Sequence, residues 1–214
     1  MLEPKATLSR VTGTGVVVIL RRLELGDFLP VIDALLEGGL DCVEVPITYH
    51  AGLQALPQLR AQYGDRVCLG AGSVINSDLA VLAAGLQVDF ISAPTGDESI
   101  VQTCRTRELL SMPGAMTPTE ILRAWHVGAD LVKVFPARLV GPDYFEAMLH
   151  QLPDLALVAA GGVTADNLAD FFHAGARAAA VGRGVVSEPD LAARNFAAIT
   201  QRARRLREIA GEAR

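Results

Sequence analysis

Between positions 128 and 136 the chain reads Gly-Ala-Asp-Leu-Val-Lys-Val-Phe-Pro. A glycine that follows a helical stretch here leads into a short apolar run, which is typical of a buried β-strand. Lys133, at the centre of the run, is one of only two lysines among 19 basic residues. Because the chain otherwise uses arginine, solubility does not explain this amine. The other lysine, Lys5, lies near the N-terminus, where we expect mobile chain.

The same pattern recurs along the chain and predicts the fold. Gly39, Gly85, Gly128 and Gly175 each follow a helical stretch and precede an apolar run, and they are 46, 43 and 47 residues apart. Each interval holds two strand–helix units, so these glycines should precede the second, fourth, sixth and eighth strands. Alternating units of this number predict a single (β/α)8 TIM barrel domain over residues 1–214.

The element assignments follow from apolar periodicity. The predicted strands are Val16–Leu20, Cys42–Ile47, Val67–Gly70, Val88–Ser92, Leu109–Met112, Leu131–Phe135, Leu155–Ala160 and Ala178–Gly182. The predicted helices include Phe28–Leu36, Asp78–Ala84, Ile121–Val127 and a long amphipathic helix from Asp190 to about Glu208. Thr117-Pro118-Thr119-Glu120 predicts a capping box with proline at the first helical position.

The glycine spacing also relates two ionisable residues. Glu44 lies five residues after Gly39, and Lys133 lies five residues after Gly128. Alternate strands of such a barrel supply side chains to the same interior layer, so we expect Glu44 and Lys133 to face each other across the barrel. A desolvated lysine has a lowered pKa and can form a Schiff base with a ketone, while the carboxylate moves protons. The alternative is a buried structural ion pair.

Composition excludes several other classes of protein. The chain is 50% hydrophobic and 20% charged, with a net charge of −5, which argues against nucleic acid as a partner. No apolar run approaches the roughly 18 residues that span a membrane, and Met1–Arg10 has no signal-peptide pattern. Three cysteines without a CxxC pair predict a reduced, cytoplasmic protein that needs neither disulfides nor metal.

Five sequence elements resemble a known family. They occur in order and at matching spacing: Val43-Glu44-Val45-Pro46, Gly70-Ala71-Gly72-Ser73-Val74, Pro113-Gly114, Lys133-Val134-Phe135-Pro136-Ala137 and Gly161-Gly162-Val163-Thr164. Together they resemble the class I 2-keto-3-deoxy-6-phosphogluconate (KDPG) / 4-hydroxy-2-oxoglutarate (KHG) aldolases from about Val16 to Val186. Ile19-Leu20-Arg21 and Gly141-Pro142-Asp143-Tyr144 also match the related 2-dehydro-3-deoxy-6-phosphogalactonate (KDPGal) aldolases.

The resemblance implies roles for individual residues. Lys133 corresponds to the Schiff-base lysine, Glu44 to the general acid/base, and Arg21 to an arginine that contacts the substrate carboxylate. Ser73 stands where the family usually has threonine and would offer a hydroxyl to the pyruvyl end. From the residues alone, Arg21 could instead be a solvated arginine and Ser73 a turn residue.

Other implied residues line the pocket or bind phosphate. Pro113 and Phe135 correspond to pocket-lining positions, although by pattern alone they are core or turn residues. Gly161 and Gly162 follow the seventh strand, and Gly182-Arg183-Gly184 follows the eighth. In barrels, the loops after these strands and a helix N-terminus often bind phosphate through N–H groups. The alternative is a pair of tight turns, with Thr164 as an ordinary helix N-cap.

Two positions depart from the family pattern. Thr48 stands where the phosphogluconate-cleaving branch has an arginine four residues after the glutamate, and Gly184 where part of the family has a phosphate-binding serine. Arg183 could supply the missing charge, or the substrate could lack phosphate at that place. The resemblance otherwise implies a 2-keto acid substrate, no cofactor, no nucleic-acid or membrane partner, and a homotrimer.

The sequence therefore predicts a lyase that releases pyruvate and an aldehyde. The candidate substrates are the phosphorylated keto-deoxy sugar acids, which give glyceraldehyde 3-phosphate, and 4-hydroxy-2-oxoglutarate, which gives glyoxylate. Two alternatives use the same residues differently. One is another phosphate-binding barrel enzyme, an isomerase or decarboxylase, in which Lys133 forms no imine. The other is a barrel that binds a ligand without catalysis.

Overall fold

A computed structural model describes all residues, 1–214, and confirms the predicted barrel. Nine parallel strands form a nearly closed barrel in the order β5-β4-β3-β2-β1-β9-β8-β7-β6. The strands are β1 (Val16–Ile19), β2 (Cys42–Pro46), β3 (Cys68–Gly72), β4 (Phe90–Ser92), β5 (Leu110–Met112), β6 (Gly114–Ala115), β7 (Val132–Val134), β8 (Leu157–Ala160) and β9 (Ala178–Val181).

Helices connect the strands along the outside of the barrel. They are α1 (Pro4–Thr14), α2 (Phe28–Glu37), α3 (His50–Tyr63), α4 (Ser77–Ala84), α5 (Glu98–Thr106), α6 (Pro118–His126), α7 (Gly141–Gln151), α8 (Leu168–His173), α9 (Glu188–Ala192) and α10 (Phe196–Glu212). Short 3-10 turns occupy Leu25–Asp27, Gly64–Arg66 and Ala137–Leu139. The capping box is confirmed, since the Thr117 side chain accepts from the N–H of Glu120 and the Glu120 carboxylate accepts from the N–H of Thr117. No helix is both long and apolar enough to span a bilayer.

Strands β5 and β6 are two halves of one barrel strand. Pro113 separates them, because proline has no N–H to donate to a neighbouring strand. The chain at β7 bonds on both sides of this break: the N–H of Leu131, just before β7, donates to Ser111 C=O in β5 at 3.2 Å, and β7 pairs with β6 through Lys133 and Gly114. Counting the halves together gives eight strand positions, and the four predicted glycines precede the second, fourth, sixth and eighth of them.

Three of these glycines end their helices in the left-handed region, and one does not. The φ angles of Gly39, Gly128 and Gly175 are 83°, 98° and 92°. Gly85 is also a helix C-cap, but its φ is −69°. The left-handed residue in this connection is Gln87, with φ 58°, so the turn into β4 comes two residues later than the pattern predicts.

Both ends of the chain differ from expectation. Lys5 lies in helix α1 and not in a loose terminus. This helix closes the N-terminal end of the barrel, where Val11 is fully buried with the interior side chains and Arg10 Nε donates to Asp41 Oδ2 at 2.7 Å. The predicted long helix from Asp190 is two helices, α9 and α10, because the chain turns at Arg194 with φ 49°.

The barrel interior is a separate apolar layer from the one between strands and helices. Its members include Val17, Ile19, Cys42, Cys68, Phe90, Leu110, Met112, Leu131, Val158, Ala160, Ala178 and Ala180. Side chains alternate along a strand, so the residues two positions after Cys42, Phe90 and Leu131 also point inward. Those residues are Glu44, Ser92 and Lys133. The strand period therefore places three polar side chains just above an apolar floor.

Candidate active site

Lys133 and Glu44 meet inside the barrel. The Lys133 Nζ lies 3.9 Å from Glu44 Oε2, and the two residues are only 5% and 1% exposed. The separation allows electrostatic attraction but exceeds hydrogen-bond length. Glu44 Oε2 is buried and has no hydrogen-bond partner in the protein. A buried carboxylate oxygen without a partner is costly, so this pair is not arranged for stability.

Burial lowers the pKa of the Lys133 amine below its ordinary value. The Glu44 charge opposes this shift, and the Arg21 charge adds to it. The physical causes match those that turn a lysine into a neutral nucleophile: desolvation together with a neighbouring cation.

The Glu44 side chain fits because β3 carries a glycine beside it. A Cβ at Gly72 would lie 2.2 Å from Glu44 Oε1, so the Glu44 side chain would have to shift. Gly72 pairs with Pro46 at the end of β2. The absence of a side chain on β3 therefore makes room for the Glu44 carboxylate on β2. This explains why the Gly70–Val74 motif has a glycine at position 72.

Ser92 provides the hydrogen bond that Glu44 does not. Its Oγ lies 2.5 Å from Lys133 Nζ and accepts from it, and the residue is fully buried at the end of β4. This serine was missed by the sequence analysis, in which it appeared only as the last residue of an apolar strand. The strand period offered the signal, since Ser92 follows the inward-pointing Phe90 by two residues.

Arg21 enters the site from the loop after β1. Its side chain lines the cavity and forms no ion pair with an acidic residue. A residue after β2 contacts this loop: Tyr49 Oη donates to the Leu20 carbonyl at 3.0 Å. Tyr49 directly follows Thr48, the position that departs from the family pattern. The residue after Thr48 thus supports the loop that carries Arg21.

One cavity of about 390 Å³ opens at the C-terminal end of the strands and contains most of the predicted residues. Its lining includes Lys133, Glu44, Arg21, Ser73, Phe135, Gly161, Gly162, Gly182, Arg183 and Gly184. Ser73 has φ 59°, so it also turns the chain after β3, and the two interpretations of this residue are compatible. A cavity of this size suits a small-molecule ligand.

Pro113 is the predicted residue that does not line the cavity. Its carbonyl accepts the N–H of Lys133, and the cyclic side chain interrupts a strand. Pro94, after β4, lines the cavity instead. Both prolines follow a strand by one or two residues, so the sequence alone does not tell which one faces the ligand.

The loops after β8 and β9 leave several N–H groups free. Those of Gly162, Val163, Arg183 and Gly184 donate to no other group of the protein. The loop after β8 does not lead directly into the helix that follows it. Helix α8 begins at Leu168 with Asn167 before it, and Asn167 Oδ1 accepts the N–H of Thr164 at 2.8 Å. Thr164 nevertheless accepts the N–H of Asp166 at its Oγ1 at 3.3 Å and the N–H of Leu168 at its carbonyl at 3.0 Å, as an N-cap residue does.

Arg138 is a second residue that the sequence analysis missed. Its N–H donates to the Gly161 carbonyl at 3.0 Å, and its side chain lines the cavity. A Cβ at Gly162 would lie 2.5 Å from Arg138 Cβ, so the loop glycine lets the two segments approach. Like Arg21 and Arg183, Arg138 is exposed and forms no ion pair with an acidic side chain.

The cavity therefore carries three arginines without acidic partners and one carboxylate, Glu44. Such a lining favours a ligand with more than one anionic group. No group of three or more His, Cys, Asp or Glu side chains is placed to hold a metal ion.

Comparison with known proteins agrees with this site. The family described as KDPG and KHG aldolase matches residues 8–202. The chain belongs to the KDPG and KHG aldolase family. Aldolases are lyases, which confirms the predicted enzyme class.

Individual members of the family match over most of the chain. The 2-dehydro-3-deoxy-6-phosphogalactonate aldolase of Escherichia coli (strain K12) is 32% identical over 78% of this chain and 82% of its own length. The 2-dehydro-3-deoxy-phosphogluconate aldolase of Treponema pallidum (strain Nichols) is 31% identical over 91% of this chain and 92% of its own. A solved structure described as native KDPGal superimposes with a TM-score of 0.86 at 28% identity, covering 92% of this chain and 95% of that chain.

Proposed function

We propose that this aldolase works through a Schiff base on Lys133 and cleaves a 4-hydroxy-2-keto acid to pyruvate and an aldehyde. The observation that carries the proposal is the buried amine with a lowered pKa, 3.9 Å from a buried carboxylate that has no hydrogen-bond partner at one oxygen. A neutral amine and a free base are the two groups that imine formation needs.

The proposed steps use only these two side chains. The Lys133 amine attacks the C2 ketone, and Glu44 moves protons as the carbinolamine forms and loses water. The protonated imine then withdraws electrons from the C3–C4 bond. Glu44 removes the C4 hydroxyl proton, the bond breaks and the aldehyde leaves. The enamine is protonated at C3, and water hydrolyses the imine to release pyruvate and the free amine.

The charges around the cavity support a substrate that is anionic at both ends. Arg21 lines the cavity near Lys133 and Glu44, where its guanidinium can bind the carboxylate of the keto acid. Arg138, Arg183 and the free N–H groups of Gly162 and Gly184 supply donors for a phosphate at the other end. We therefore propose a 2-keto-3-deoxy-6-phospho sugar acid, the galactonate or the gluconate, ahead of 4-hydroxy-2-oxoglutarate.

Borohydride reduction in the presence of pyruvate tests the imine. Reduction should fix pyruvate on Lys133 as a stable secondary amine, which mass spectrometry of peptides locates. The chain has one other lysine, the exposed Lys5, which serves as an internal control in the same digest. An adduct on Lys5 alone, or none on either lysine, would reject the mechanism.

A pyruvate-release assay tests the substrate. Phosphogalactonate-, phosphogluconate- and hydroxy-oxoglutarate-type substrates should be compared by kcat/KM, and one of the phosphorylated acids should be preferred. Turnover of a phosphorylated sugar without pyruvate release, together with no borohydride trapping, would instead favour an isomerase or decarboxylase. Binding without any turnover would favour a non-catalytic barrel.

We also propose a homotrimer in the cytoplasm, as the family resemblance implies. Exposed apolar side chains at Ile75, Val81 and Leu82 support an interface near α4. Light scattering on the purified protein, with a mass of three chains of 22.6 kDa expected, tests the assembly. A monomer at micromolar concentration would reject it.

A further inference from the structure

Ser92 makes the one hydrogen bond that the Lys133 amine has in the protein, with Oγ 2.5 Å from Nζ. Phe90, two residues earlier, points to the same interior face and is apolar and fully buried. A hydroxyl in such surroundings costs stability unless it is hydrogen-bonded, and an apolar side chain of the same size would pack equally well. The function of the Ser92 hydroxyl therefore lies in its hydrogen bond with the Lys133 amine.

The hydrogen bond fixes an otherwise flexible nucleophile. A neutral amine has two N–H groups and one lone pair. When one N–H points to Ser92 Oγ, the lone pair and the second N–H are left for the cavity, where Glu44 Oε2 lies at 3.9 Å. A lysine side chain loses much rotational freedom on being held, so an amine that is already oriented reaches the ketone with less reorganisation.

The same contact has a second use after the amine has reacted. A protonated imine keeps a single N–H, and two acceptors are in reach of it: Ser92 Oγ and Glu44 Oε2. Ser92 Oγ is the nearer of the two, at 2.5 Å against 3.9 Å. If Glu44 accepted this N–H instead, the carboxylate would be occupied at the stage at which it must remove the C4 hydroxyl proton.

We infer that Ser92 is a positioning residue: it accepts a hydrogen bond from the Lys133 nitrogen in the free enzyme and in the imine, and so leaves Glu44 free for proton transfer. The inference rests on the proposed function, because it assumes an imine on Lys133. No proton is transferred to or from Ser92 in this arrangement, and its hydroxyl leaves the cycle unchanged.

Two variants of nearly equal shape separate the hydroxyl from the packing. Ser92→Thr keeps the hydroxyl, whereas Ser92→Val replaces it with a methyl group, and both add the same extra methyl to the buried site. Loss of a hydrogen bond to a charged nitrogen should lower kcat and the rate of borohydride trapping roughly 10- to 100-fold in the valine variant. The threonine variant should stay within about threefold of the wild type. KM should change little, since Ser92 does not line the cavity that holds the substrate.

Ser111→Ala is the control for loss of a buried serine hydroxyl. Ser111 is also buried in a strand, but its Oγ donates to Asp130 Oδ2 at 2.8 Å and does not contact the amine. This variant should lose stability without slowing the trapping step. Circular dichroism and urea unfolding of all variants establish that the compared proteins are folded.

The outcomes distinguish this inference from the function on which it rests. If the wild type is not trapped by pyruvate and borohydride, the proposed function fails. If the wild type is trapped and the threonine and valine variants react at the same rate, the function stands and the role of Ser92 is overturned. That role is also overturned if the valine variant changes KM and leaves kcat unaltered. A slow valine variant beside a threonine variant of wild-type rate supports the inference.

Discussion

Two buried acidic residues of this barrel are treated in opposite ways. Asp89, at the N-terminal end, is fully buried and accepts from Arg60 Nη2 at 2.7 Å and from the N–H groups of Leu69 and Leu2 at 2.8 Å each. Glu44, nearer the C-terminal end, has an amine at 3.9 Å and an oxygen without any hydrogen bond.

The difference indicates that Asp89 stabilises the fold, whereas Glu44 is available for chemistry. A buried carboxylate whose hydrogen bonds are complete holds strands and helices together, and here it ties β3, α3 and the first residues of the chain. A buried carboxylate whose hydrogen bonds are incomplete adds no comparable stability. It is available to a ligand, as are the three unpaired arginines around the same cavity.

The largest effect is expected from Lys133→Met, which keeps much of the side-chain volume and removes the amine. Activity should fall about a thousandfold or more, because no other group can form the imine. The free energy of unfolding should fall by less than the roughly 3–5 kcal/mol typical of a broken buried ion pair, since removal of a costly buried amine offsets the loss of the counter-charge of Glu44. A coupled pyruvate assay and urea unfolding measure the two. Activity within tenfold of the wild type would contradict the Schiff-base role.

The corresponding experiment at the N-terminal end of the barrel is Arg60→Met, which removes the partner of Asp89. It leaves Asp89 buried without its counter-charge, so the free energy of unfolding should fall by about 3–5 kcal/mol. The kcat per folded molecule should stay within about twofold of the wild type, because the cavity is not lined by either residue. Arg205→Met, which removes an exposed arginine, is the control and should change stability by less than about 0.5 kcal/mol. A stable, inactive Arg60→Met variant would mean that the two ends are coupled.

Gly72→Ala disturbs Glu44 without changing any charged group. The added Cβ would lie 2.2 Å from Glu44 Oε1, so the carboxylate has to move. A displacement of about 1 Å in a reacting group typically costs on the order of 100-fold in kcat. Gly13→Ala in α1, where an added Cβ meets nothing within 4 Å, is the matched control and should remain fully active. An unchanged kcat in Gly72→Ala would mean that the position of Glu44 is not critical.

Arg138→Gln probes the unpaired arginines on the far side of the cavity. Loss of one charge-assisted contact to phosphate should lower kcat/KM for a phosphorylated substrate about tenfold. Borohydride trapping with pyruvate, which has no phosphate, should be unaffected. Arg123→Gln, on the exposed face of α6, controls for the loss of one positive charge. Equal effects of the two substitutions would show that Arg138 acts only through the overall charge of the protein.

Much of this site could be predicted from the sequence because it depends on strand period and spacing. The glycine pattern indicated the order of the strands, and the equal offsets of Glu44 and Lys133 indicated their common layer. What failed depended on contacts between segments distant in sequence. Helix α1 is held by Arg10–Asp41 and by the burial of Val11, which no local pattern reveals.

The missed site residues have the same explanation. Strand period indicates that Ser92 points inward, but Ser92 and Arg138 become functional candidates because β4 and the segment after β7 lie beside Lys133 and Gly161. Pro113 was assigned to the pocket by its motif, but it lies between two half-strands, where its carbonyl accepts the backbone N–H of Lys133. The local sequence was enough to identify which residue types could act at a site. Which of these residues contact one another depends on the register between neighbouring strands.

The smallest expected effect concerns how the stability difference between the wild type and Lys133→Met varies with pH. Burial lowers the pKa of Lys133 below its ordinary value of 10.5. Between the folded and unfolded pKa values, the unfolded chain binds a proton that the folded chain does not, so raising the pH stabilises the folded state by at most about 1.4 kcal/mol per pH unit. Below the folded pKa, the full cost of burying the ammonium is present. The stability of Lys133→Met relative to the wild type should therefore be greatest at the lowest pH measured and fall as the pH rises towards 10.5.

Unfolding by urea at several pH values between about 6 and 9 measures this dependence. All other ionisable groups are the same in both proteins, so their contributions cancel in the difference. The stability difference between the wild type and Arg60→Met should not show the same trend, since a guanidinium stays charged throughout this range. If the stability difference between Lys133→Met and the wild type did not change with pH, the pKa of the buried amine would not be lowered. The amine beside Glu44 would then not be a better nucleophile than an exposed lysine.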